Sequence, residues 1–115
     1  MASLTSAIVA KALDGLSARE IALAENVANA NTQGYRPLKV SFEEALAAAA
    51  QTNSREAVDA VTPRLTEAPL RETDGLRVDL ELNAAASTAM RYSALIQLLG
   101  RRNALEMAAM RGSVG

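Results

Sequence analysis

The chain has 115 residues, half of them hydrophobic, a net charge of −1, and neither cysteine nor histidine. That charge balance offers no general attraction to nucleic acid or to an anionic membrane surface. The two missing residue types remove disulfides, thiolate metal sites, thiol nucleophiles and the commonest general base, so the expectation is a protein that is not an enzyme and takes no cofactor, metal or small-molecule substrate.

Alanine dominates the hydrophobic residues and aromatics are only 3% of the chain. Alanine favours helix but buries little area, which predicts a thin core that neighbouring molecules would complete. No apolar run reaches the ~18–20 residues of a membrane-spanning helix. The N-terminus shows no secretory signal, because Lys11 follows the apolar stretch instead of preceding it.

In chain order, residues 3–31 read as one long helix. Ile8, Val9, Ala12, Leu16, Leu23, Val27 and Ala30 share a stripe at 100° per residue, opposite Lys11, Asp14 and Glu25. Residues 32–81 read as a turn, a short helix and an extended connector. Pro37 holds Arg36 extended, and Ser41 and Glu44 are spaced as a capping box for a helix through Leu46 and the Ala47–Ala50 tract. From Gln51 to Thr73 periodicity fades while Thr, Asn and Pro accumulate, predicting an extended or disordered stretch with one helical turn near Arg55–Val58. Asp74-Gly75 marks a turn, and Leu76 to Leu80 alternates as a short strand or lead-in would.

Residues 82–111 read as a second long helix with two apolar stripes. Ala85, Ala89, Tyr92, Ile96, Leu99, Met107 and Met110 form one, interrupted by Asn103. Ala94, Leu98, Leu105 and Ala108 form the other. Leu16, Leu23 and Val27 are expected to pair with Tyr92, Ile96 and Leu99, leaving the second stripe for another partner. The fold class expected is all-α: two long terminal helices in an antiparallel, coiled-coil-like hairpin.

Chemistry is sparse along this plan. Glu43 and Glu44 point about 100° apart on a helix and do not converge. Asp79 and Glu81 lack a third ligand and match no calcium loop. Arg101-Arg102 reads as a solvated or salt-bridged face, the glycines form no phosphate-binding fingerprint, and Met90, Met107 and Met110 read as adaptable packing residues.

The densest signal is Asn26-Val27-Ala28-Asn29-Ala30-Asn31-Thr32-Gln33-Gly34-Tyr35. It must end the first helix and send the chain away on a defined path. Asn29 or Asn31 suits a left-handed residue after the helix. Thr32 to Tyr35 fits a type II turn with Gly34 at the positive-φ position, and Tyr35 can pack its ring while its hydroxyl finds a polar partner.

This decapeptide resembles the N-terminal signature of flagellar axial proteins, N-(aliphatic)-A/S-N-x-x-T-x-G-Y/F. That family usually has Pro where this chain has Gln33. Ser41-Phe42 is similar to the V-D-F that follows the signature. Asp74-Gly75-Leu76-Arg77-Val78-Asp79-Leu80-Glu81 resembles the D-G-N-x-V-D-L-E lead-in of FlgB-type proximal rod proteins, with Leu76 in place of Asn and Leu82-Asn83 in place of the usual Glu-Met. Tyr92, Leu99 and Arg101-Arg102 resemble the tyrosine, leucine and basic residues that run along that family's C-terminal helix.

Distal rod and hook subunits carry a large β-rich insert between the helices, and here only a short connector exists; the short FlgC type is the alternative within the family. The resemblance implies a structural subunit of the bacterial flagellar basal body, exported unfolded through the flagellar type III apparatus without a cleaved signal. It would assemble in the periplasm-spanning rod with other copies of itself and with other rod and basal-body proteins, and transmit torque. A helical-hairpin adaptor that binds one partner without polymerising accounts for the helices and the alanines but not for the decapeptide.

Overall fold

The computed structural model describes residues 3–68 and 78–114. Its elements are α1 (Leu4–Ala28), β1 (Leu38–Ser41), α2 (Glu43–Gln51), α3 (Arg55–Asp59), β2 (Arg64–Glu67) and α4 (Val78–Val114). The molecule is elongated, 65 × 26 × 15 Å.

Ser3 starts α1 by accepting the Ser6 N–H at 3.1 Å on its hydroxyl, satisfying one of the helix's orphan donors. Asn29 ends it. Its backbone N–H and its side-chain Nδ2 both donate to the Glu25 carbonyl at 3.0 Å. Asn29 has φ −106°, and the only non-glycine residue at positive φ among those described is Asn53 (φ 54°). The left-handed exit expected at Asn29 or Asn31 is therefore absent: side-chain capture of a helical carbonyl replaces it. The next turn matches its expectation. Gly34 sits at φ 79° and the Tyr35 N–H donates to the Thr32 carbonyl at 3.2 Å, the type II arrangement.

The all-α expectation holds for the bulk of the chain but misses a small antiparallel sheet. β1 pairs with β2, Leu38 opposite Glu67 and Ser41 opposite Arg64, and the Ala68 N–H extends the ladder to the Pro37 carbonyl at 2.9 Å. Each strand has only four residues, too few for a period-2 pattern to register, and every residue of β2 is exposed. Long-range pairing, not local propensity, makes these strands.

Ser41 is accordingly a strand residue and caps nothing. Phe42 occupies the N-cap of α2 without a side-chain bond, and Glu43 and Glu44 supply the acidic first turn. The stretch read as a connector holds α3, capped by Ser54 accepting the Ala57 N–H at 3.2 Å, and then β2.

The core lies between α1, β1, α2 and α3. Ala7, Leu16, Ala22, Val40, Phe42, Leu46, Ala49 and Val58 form it, with Tyr92 and Leu95 of α4 packed against it. Val40 and the half-buried Leu38 share the inward face of β1.

α4 begins at Val78, so the short strand or extended lead-in expected through Leu80 is helix instead from Val78 onward, with Asp79 and Glu81 in its first turn. Three alternating residues cannot distinguish the two, and acidic side chains favour a helix start. The expected turn at Asp74-Gly75, together with Leu76 and Arg77, lies outside the described residues. α4 lies antiparallel to α1. Asn26 meets Glu81 at one end and Ser3 meets Arg102 at the other.

The inward row of α4 is Glu81, Ala85, Thr88, Tyr92, Leu95, Leu99 and Arg102, all at least half-buried, in strict four-three steps. Ile96 was expected in this seam. It is 46% exposed, and Leu95 takes its place because the true row passes through buried Thr88 instead of Ala89. Thr88 tolerates burial by donating its hydroxyl to the Ala84 carbonyl at 2.8 Å. Leu16 and Leu23 are buried and Val27 is half-buried. Met90, Met107 and Met110, expected as packing residues, are exposed. Beyond Arg102, α4 continues for about three turns, ~18 Å, past the described start of α1.

Candidate functional site: the Asn26 junction

Asn26 is 1% exposed in the last turns of α1. Asparagine is a poor helix former that competes for backbone bonds, so its burial there needs a reason. Its Oδ1 accepts the Tyr35 hydroxyl at 2.7 Å and the Leu38 N–H at 2.8 Å. Its Nδ2 donates to the Leu38 carbonyl at 2.9 Å and to Glu81 Oε2 at 3.2 Å. All four hydrogen-bonding positions of the amide are filled.

Toward Leu38 the carboxamide acts as one peptide unit of a neighbouring strand, covering the edge of β1 that faces away from β2. Toward Glu81 it reaches the first turn of α4. One side chain thus joins the two long helices, the turn and the sheet. The chemistry selects asparagine: an aspartate has no donor for the Leu38 carbonyl, and an aliphatic side chain would strand the Leu38 N–H and C=O.

Tyr35 completes the junction. Burial raises its hydroxyl pKa above the ordinary value, and the nearby carboxylates of Glu25, Glu81 and Glu67 raise it further. It therefore stays a proton donor across neutral pH. The turn that delivers it is held by Thr32 Oγ1 donating to Asn29 Oδ1 at 3.2 Å and by Gly34. Nothing lies within 4 Å of a Cβ built on Gly34, so the requirement there is purely one of backbone conformation.

A second junction pins α2 to α1. Arg19 donates from Nη1 to Glu43 Oε2 at 2.6 Å and from Nη2 to Glu43 Oε1 at 2.7 Å, and also to the Val40 carbonyl at 2.8 Å. Its guanidinium lies 5.0 Å from the centroid of the Phe42 ring, within cation–π range. The hydrogen bond from Arg19 lowers the Glu43 pKa to about 2. Phe42 in turn lies on Gly15, where an added Cβ would approach ring atoms to 2.4–2.5 Å.

Of the signature residues, the structure brings Asn26 and Tyr35 into one network and Asn29 and Thr32 into another, with Gly34 as the hinge between them. Asn31 is exposed, and no hydrogen bond ties its side chain to the described residues. Phe42 is buried. Asp74 and Gly75 fall outside the described residues, Val78 is the first residue of α4, and Asp79 is exposed.

Sequence reasoning missed Gly15, Arg19 and Leu38, and weighed Glu43 and Glu81 only as catalytic or metal-binding carboxylates. A glycine within a long helix was a readable signal for a close approach at Gly15. The partners of Arg19 and Asn26 are 9 to 55 residues away and left none. Among the described residues, no group of three acidic side chains is placed to hold a metal ion, and no helix is long and apolar enough to cross a membrane.

The class these features define is an elongated helical protein whose signature residues shape the fold. No protein-family model matches the chain, and no curated protein matches it.

Proposed function

We propose that this chain is a structural subunit of the bacterial flagellar rod, of the FlgB-type proximal class, exported through the flagellar type III apparatus and assembled with its own copies and with other rod and basal-body proteins. The observation that carries the reading is the Asn26 junction. The decapeptide that resembles the axial-protein signature is not surface decoration. Asn26 and Tyr35 bind the end of the N-terminal helix to β1 and to the start of the C-terminal helix, which is what a protein working through paired terminal helices requires.

The elongated shape supports the same reading. So does the exposed second stripe of α4, with Leu98 56% and Leu105 71% exposed. Its role is mechanical: subunits interlock by helix packing, and torque passes through them.

The test is electron microscopy of purified flagellar bases from a strain lacking the gene. Absent or truncated rods are expected; normal rods would sink the reading and leave that of a non-polymerising adaptor. A narrower test is Gly34→Val, which places a β-branched residue at φ 79° and misdirects the chain after α1. Impaired swimming is expected, and wild-type swimming would reduce the signature to an ordinary loop.

A further inference from the structure

The ion pairs described within the chain are Arg19–Glu43, Arg36–Glu67, Arg55–Asp59 and Arg102–Glu106. Outside these pairs, the charges of α1 that follow Lys11 are acidic, and those of α4 beyond its acidic first turn (Asp79 and Glu81) are basic. On α1, Asp14, Glu20 and Glu25 remain, with Lys11 a turn before them. On α4, Arg91, Arg101 and Arg111 remain.

Each set flanks an apolar row, exposed throughout on α4, while on α1 Ile21 is exposed and Ala18 is half-buried against the core. On α1, Asp14, Ala18, Ile21 and Glu25 follow four-three-four steps and so share a face. Asp14, Ile21 and Glu25 are exposed, Ile21 by 63%. This row borders a groove of about 260 Å³ whose other wall is Leu38, Val40, Pro63 and Leu65. On α4, Ala94, Leu98, Arg101, Leu105 and Ala108 follow four-three-four-three steps, and all five are exposed.

We propose that these two rows meet between copies: the outer row of α4 on one molecule lies antiparallel along the outer row of α1 on the next. The steps match. With Leu105 seated on Ile21 beside the groove, Arg101 falls opposite Glu25, Ala108 opposite Ala18, and Arg111 reaches Asp14. Apolar side chains sit at the centre and opposite charges at the ends, an arrangement that fixes register and rejects the like-charged pairings of α1 with α1 or α4 with α4. The two surfaces are different, so the contact is heterologous; each added copy leaves one row open at either end, and the assembly propagates instead of closing. It rests on the assembly part of the rod reading and gives that assembly a partner surface.

The contact spans only about three turns of α1, ~16 Å. It is therefore weak, concentration-dependent and sensitive to salt. The test is sedimentation velocity of the full chain over a concentration series, at low and at high ionic strength. An open series of oligomers is expected at low salt, fading at high salt. Arg101→Glu alone and Glu25→Arg alone each set like charges opposite one another, and should raise the concentration needed for association by roughly tenfold or more. An equimolar mixture of the two variants restores every opposition to complementary charge and should associate as the wild type does. Neither side chain has an ion-pair partner among the described residues, so the circular dichroism of both variants should match the wild type. In this cysteine-free chain, Ile21→Cys combined with Leu105→Cys should give a disulfide-linked ladder on oxidation.

The proposal is overturned by a wild type that stays monomeric at high concentration and low salt, by an assembly that stops at a dimer, by single variants that associate normally, or by a mixture that stays dissociated. Normal rods in the deletion strain would remove the rod reading while leaving this contact standing, so the two failures are separable.

Discussion

Replacing Asn26 tests the junction most directly, and the choice of replacement separates hydrogen bonding from volume. Asn26→Ala removes four hydrogen bonds at 2.7–3.2 Å. At roughly 1 kcal/mol net for each bond, the upper bound is about 4 kcal/mol. Tyr35, Leu38 and Glu81 are each only half-buried and partly regain water, so the expected loss is about 2–4 kcal/mol.

Asn26→Asp conserves volume and keeps the two acceptor roles toward the Tyr35 hydroxyl and the Leu38 N–H. It turns both donor roles into repulsions, against the Leu38 carbonyl and the Glu81 carboxylate. At neutral pH it should be at least as destabilising as alanine. The new carboxyl has its pKa raised in the folded state, so the sign follows: its protonated form serves as a donor, the variant loses stability as pH rises through the folded pKa, and it recovers part of the loss on acidification.

Urea and thermal unfolding at neutral and mildly acidic pH, followed by circular dichroism, supply the readout. A fall in Tm of about 10 °C or more is expected for each variant at neutral pH. If Asn26→Asp is as stable as the wild type at neutral pH, or its deficit is unchanged by acid, the four-bond account of this residue is wrong.

Glu43→Gln should remove part of the chain's acid sensitivity. The folded pKa of Glu43 is lowered to about 2 from 4.5, so its contribution is present above the unfolded value and is lost as pH falls from about 4.5 toward 2. The carboxylate is 54% exposed, which limits the gain to about 1 kcal/mol; unfolding curves of the two proteins should converge near pH 2. Gly15→Ala gains up to about 1 kcal/mol of helix propensity but drives a methyl group into the Phe42 ring. Overpacking of about 1–3 kcal/mol should win, giving a lower Tm, and a raised Tm would show that the ring is free to shift. Gly34→Ala should cost about 1–2 kcal/mol through its positive φ alone. Gln33→Pro, at the second position of the same turn, should stabilise by about 0.4–1 kcal/mol. Chemical denaturation of the pair checks both signs at once.

The resemblance read from the decapeptide drew on Asn26, Gly34 and Tyr35, and the structure assigns each of them a distinct task. Their local tasks were legible. Gly34 announces a positive φ because only the chain's own geometry is involved, and Tyr35 announces a need for a hydroxyl partner. The identity of that partner was not legible, since it depends on how the turn folds back over α1. Asn29 shows the opposite case: a left-handed exit and a side-chain bond to Glu25 are both open to an asparagine, and only the path of the following chain selects one. In α4, apolar side chains alone pointed to Ile96. The true row runs through Thr88 and ends on Glu81 and Arg102, polar residues that a hydrophobicity pattern discards but that pair with Asn26 and Ser3 across the seam.

From the sequence alone come the two long helices, the type II turn and the surplus apolar row on α4, because each follows from periodicity or from the conformational limits of single residues. The tertiary structure alone decides the two four-residue strands, the Asn26 junction, the Arg19–Glu43 clasp and the fit of Phe42 on Gly15. Each of these joins residues far apart in the chain, and such contacts are chosen by how much burial and hydrogen bonding the whole fold gains, a quantity that no local pattern encodes.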